Sequence, residues 1–160
     1  MRVTEATVEA EHERIRGRAA IPALINDVRG RLGPLFDTEV SGVAVERYRR
    51  EVDTLFADGD RAVNVAALCG LLRELDCEGD YPGFVVDEFL GRKLAATIAG
   101  GQPFALLAEA TFHFADVHTH GDDERAGADD LDAALAAGFQ TRLPGWNWTE
   151  TASPFAVDAE

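Results

Sequence analysis

The chain has 160 residues, a hydrophobic fraction of 46% and a formal net charge of −14. That length suits one domain with a core of its own, the apolar content argues against wholesale disorder, and the acid excess makes nucleic acid an unfavourable partner. No run approaches the roughly 18 apolar residues that cross a bilayer, so membrane insertion is not expected, and MRVTEATVEAEHE lacks the basic-then-apolar order of a secretory leader.

The pattern is helical nearly throughout. Thr4 or Thr7 is placed to cap a first helix through VEAEHERIRGR, because a threonine oxygen accepts an orphan N–H of the first turn. Pro22 breaks or restarts it at a first-turn position, and Leu24, Ile25, Val28 and Leu32 continue a helical stripe. Gly33-Pro34 signals a turn. A second helix puts Val40, Ala44, Tyr48, Val52, Leu55 and Phe56 on one face, and the ERYRRE run on the other solvates it by ion pairing. VSGVAVERY alternates, so a short strand is the alternative there. The DGD run ends that helix, and Asp60 is the expected N-cap of a third through Val63, Ala67, Leu68, Leu71, Leu72 and Leu75.

DCEGDYPG is a loop of breakers, and Pro82 suits the first turn of a fourth helix with Phe84, Val85, Phe89, Leu94 and Ile98 apolar. GGQP at 100–103 closes that helix and opens a fifth at Pro103. After HGDDERAGADD, an alanine-rich sixth covers 130–137, with Gly138 as its stop. The expected fold is therefore all-α: a compact bundle of five or six helices over residues 1–140, followed by an extended aromatic tail, 141–160. The tail holds Leu143, Trp146, Trp148 and Phe155 yet has no period of its own. It should pack on the domain or on a partner, which makes Trp146, Trp148 and Phe155 candidate contact residues.

The fifth helix carries the chemistry. At about 100° per residue, Glu109, His113, Asp116 and His120 fall within about 60° of one another, with Gln102 on the same line. The rest of that helix is nearly all apolar, through Leu106, Leu107, Phe112, Phe114 and Val117. Imidazoles and carboxylates three and four residues apart can point at one ion, and a mixed nitrogen and oxygen set suits a transition metal such as zinc or iron. Glu109, His113, Asp116 and His120 are thus the candidate ligands, with His118, Asp122 and His12 in reserve. The competing reading is that the line is simply where a buried helix meets water. Glu9 and His12 form a single Glu-x-x-His, whereas ferritin-like di-iron bundles need two.

Other chemistries find little support. No glycine-rich phosphate loop or Gly-x-Ser-x-Gly occurs, and Ser41 and Ser153 are the only serines. Cys69 lies in a leucine-rich face that suits inert packing, and no Cys-x-x-Cys is present. Arg29, Arg31, Arg47, Arg49 and Arg50 would make a basic patch for a transcription-associated regulator. Pairing with Glu46, Glu51 and Asp53 is the simpler use of them.

Twenty-nine acids oppose fifteen bases, of which only Lys93 is lysine. This composition resembles that of proteins from salt-loving archaea. In molar salt the screening length falls to about 3 Å, so dense carboxylates barely repel while net charge maintains solubility. The chain should therefore lose helical circular dichroism on dilution from molar salt, and an unchanged spectrum would remove that reading. The leading expectation is an acidic, salt-adapted, cytoplasmic helical protein acting through contact with a protein partner or as a homodimer, without catalysis. The alternative is a metal-binding bundle, enzyme or sensor.

Overall fold

A computed structural model describes residues 1–77, 83–117 and 128–146. Thr4 caps α1 (Glu5–Gly17): its Oγ accepts from the Thr7 amide at 3.2 Å while the Thr7 Oγ accepts from the Thr4 amide at 2.7 Å. Then come α2 (Ala20–Leu35), α3 (Val45–Phe56) and α4 (Gly59–Glu74). A π-helical segment, Gly83–Gly91, runs directly into α5 (Arg92–Ala99), and α6 (Phe104–Val117) and α7 (Ala128–Gln140) complete the bundle. The protein is all-helical, and no strand occurs among the described residues; the alternating stretch before Val45 is a non-helical connection.

Several boundaries differ from the sequence reading, each for a physical reason. Gly33-Pro34 falls inside α2 and not in a turn: a proline in the last turn costs only the bond to the Gly30 carbonyl, and the helix still closes beyond it with the Phe36 amide on Leu32 and Gly33. Asp58, not Asp60, caps α4, accepting from the Arg61 amide at 3.4 Å. On α4 the small residues Ala62, Ala66 and Cys69 face inward with Val65 and Leu72, which leaves Val63 and Leu71 exposed. The expected fourth helix is split: its first half is π-helical, so its faces rotate relative to α-helical spacing. Val86, Leu94 and Ile98 are buried, whereas Phe84, Val85 and Phe89 face out.

The largest departure concerns α7. It runs through Gly138 to Gln140 and lies at the centre, packed against α2, α5 and α6 and touching α3, α4 and the π-segment. Its residues from Ala133 to Ala137 are all buried, together with Phe139. A stretch apolar on every side, as α7 is from Ala133 to Phe139, belongs in an interior, and alanine lets neighbouring backbones approach. Gly138 is a packing residue: a Cβ there would lie 2.7 Å from the Ile98 Cβ and 3.0 Å from the Ala95 carbonyl oxygen. Around this axle sit Ile21, Ile25 and Val28 of α2, Tyr48, Val52 and Leu55 of α3, and Leu94 and Ile98 of α5.

Two polar anchors tie the periphery down. Glu11 on α1 is buried and is clasped by both Arg73 guanidinium nitrogens and by Arg14, which fastens α1 to α4. Arg29 on α2, 1% exposed, fills the space beneath the end of α7. It donates to the carbonyls of Gln140 at 3.0 Å, Ser41 at 3.3 Å and Pro144, and lies 5.8 Å from the centre of the Trp146 ring. Trp146 is itself buried and donates to the Gln140 carbonyl at 3.2 Å. The first tail residues therefore lie on the domain, while Trp148 and Phe155 fall outside the described residues.

Candidate metal centre

Three aspartates from three different elements converge. Asp87 is mid-way along the π-segment, Asp116 is in the last described turn of α6, and Asp130 is in the first turn of α7. One carboxylate oxygen from each lies within 4.8 Å of the other two, and all three side chains are half-buried. Two oxygens bound to one ion at about 2.4 Å can be no more than about 4.8 Å apart, so the spacing fits shared coordination.

The positions follow from packing. The π-segment and α5 pass α6 so closely that a Cβ on Gly91 would lie 2.7 Å from the Phe112 Cε1 and 2.8 Å from the Val86 carbonyl oxygen. With Val86 buried next to it, Asp87 is held at the seam of the π-segment, α6 and α7. Burial pushes its carboxyl up to about 6, helped by a hydrogen bond to Asp130 and by the Asp130 charge, against a smaller pull from His113. Crowded carboxylates that resist ionising together share either a proton or a cation.

The structure brings only part of the predicted line to this place. Asp116 belongs to the cluster, and His113, exposed one turn earlier on α6, stands near enough for its charge to act on Asp87. Glu109, half-buried, lines a separate shallow concavity with Leu68, Phe89, Arg92 and Lys93. Gln102 caps α6, accepting from the Leu106 amide at 3.2 Å. His118, His120 and Asp122 lie outside the described residues.

His12 has another role. Its Nε2 lies 2.7 Å from Asp53 and its ring stacks on Phe56 with centroids 4.8 Å apart. Burial pushes the Asp53 carboxyl up, but hydrogen bonds from His12 and Arg16 outweigh that and hold it below the usual carboxylate range. This network joins α1 to α3. The Cys69 thiol is buried, and burial drives it well above the usual thiol range, which keeps it protonated and unreactive. Of the five arginines, Arg47 pairs with Glu51 and Arg49 with Glu46, while Arg29 is interior.

Asp87 and Asp130 are absent from the sequence-derived ligand set. The only local hint at Asp87 is an acid directly after the apolar run Phe84-Val85-Val86, and at Asp130 an acid at a helix start, which capping alone accounts for. No curated protein and no solved structure matches this chain. A family model does match, over residues 1–159, and the chain belongs to the family described as Domain of unknown function (DUF7984).

Proposed function

We propose that this chain is a divalent-cation-binding helical bundle of the cytoplasm, adapted to salt, in which Asp87, Asp116 and Asp130 hold the ion. The observation that carries the reading is the convergence of three carboxylates from separate elements within one coordination distance. Three oxygen donors favour a hard ion such as magnesium, calcium or manganese over the zinc or iron suggested by a histidine-rich line. His113 at the rim makes manganese a suitable probe. An ion here would join the π-segment, α6 and α7, a binding and bracing role and not a chemical one.

Equilibrium dialysis of chelator-treated protein against manganese in molar potassium chloride tests this. One equivalent should bind, Asp116→Asn should weaken binding at least about tenfold, and Glu109→Gln should leave it unchanged. Equal binding by wild type and Asp116→Asn would sink the assignment.

A contact role is the second reading, favoured by the outward aromatic side chains of the π-segment, Phe84 and Phe89, which are 70% and 67% exposed. Large apolar rings so exposed are the feature by which interaction surfaces are recognised.

A further inference from the structure

We infer that the outer face of the π-segment is an interface between two copies of this chain. The inference gives the contact reading its partner and stands apart from the cation site. The wider turn of a π-helix brings residues four and five apart to neighbouring positions on one side; Phe84 and Phe89 are both exposed, and so is Val85 beside them. Phe89 continues across to Leu68 of α4, forming the apolar floor of a concavity whose rim is Glu88, Arg92, Lys93 and Glu109. An aromatic centre with a charged rim is the usual anatomy of a protein interface.

The charges select the occupant. The chain as a whole carries −14, so two copies repel over most of their surface. This rim holds two acids and two bases and is locally neutral. Glu88 and Arg92 pair with each other at 3.3 Å. Lys93 and Glu109 line the same concavity, yet neither side chain has a hydrogen bond or ion pair among the described residues. An unpaired cation and an unpaired carboxylate on one face form a self-complementary set. Under a two-fold axis, Lys93 of one copy meets Glu109 of the second, and the reverse pair forms by symmetry. A partner of one dominant charge would leave one of the two unsatisfied.

Sedimentation equilibrium tests this, run with chelator at the lowest salt that preserves native circular dichroism, where screening of the rim is weakest. The full chain should sediment as a dimer. The double variant Phe84→Ser, Phe89→Ser should keep its helical spectrum, because both rings are exposed, and dissociate at least about tenfold more readily. Lys93→Glu and Glu109→Lys should each weaken the dimer, and the two combined should restore it. A wild-type chain that stays monomeric, a dimer indifferent to the serine pair, or a combined charge swap no better than either single change overturns the inference.

Discussion

Replacing Arg29 with alanine is expected to lower the unfolding free energy by about 3–5 kcal/mol. The side chain is interior and its guanidinium satisfies the carbonyls of Ser41, Gln140 and Pro144. Burial lowers its pKa only to about 10, so it is charged at neutral pH. Alanine would leave those carbonyls without their charged donor, open a cavity under the Trp146 ring, and remove a cation from the negative end of α7. Lysine should recover only part of the loss, because an ammonium cannot reach several divergent carbonyls with the fixed fork of a guanidinium. Urea unfolding at constant molar salt, followed by tryptophan fluorescence, measures both variants. A loss under about 1 kcal/mol for alanine would show that the end of α7 is held by Trp146 packing alone.

The second large effect is a linkage between pH and divalent cation. Asp87 titrates near 6 in the folded chain, against about 4 when unfolded. Between those values the folded state retains a proton that the unfolded state has lost. In chelator, this group therefore makes stability fall as pH rises from about 4 to about 6, and the contribution levels off above that. Water screens the half-buried site, so the loss is about 1–2 kcal/mol. An ion takes the proton's place. At roughly 100-fold excess over its dissociation constant it should add about 2.7 kcal/mol, and its affinity should decline below about pH 6 as Asp87 reclaims its proton. Thermal unfolding of chelated protein at pH 5 and pH 7.5, with and without manganese, measures both effects. Asp87→Asn should remove the proton-linked loss and the ion response together. An ion-induced gain no larger at pH 7.5 than at pH 5 would contradict the linkage.

The helical class was legible because apolar residues recur at helical spacing and the breakers fall between helices, as at Gly100-Gly101. What local spacing could not carry was which helix lies innermost. Alanine scores weakly as apolar and glycine scores as a terminator, so ALAAGF reads as a short helix that stops at Gly138, with nothing to mark it as the axle. Arg29 did leave a trace: it shares the stripe of Ile25, Val28 and Leu32, which places it on the buried side. At the candidate centre, Asp116 was visible through its neighbours on α6. Asp87 and Asp130 were not, because their meeting depends on how three elements pack. The π-segment adds a further reason. Its wider turn changes the angular spacing of the side chains, so α-helical periodicity could not tell that Phe84 and Phe89 face out.

The central position of α7 also sets an order of events during synthesis. Six α-helices and the π-segment precede α7 in the chain, and all of them but α1 pack on it. Until Ala128–Gln140 emerges, the residues of α2, α5 and α6 that pack on it lack that surface, although α5 and α6 already meet each other. Ile21, Ile25, Leu94 and Ile98, which sit around α7, gain that cover only once it has been made. A helix made late and packed at the centre places the long-range contacts of the core late in synthesis.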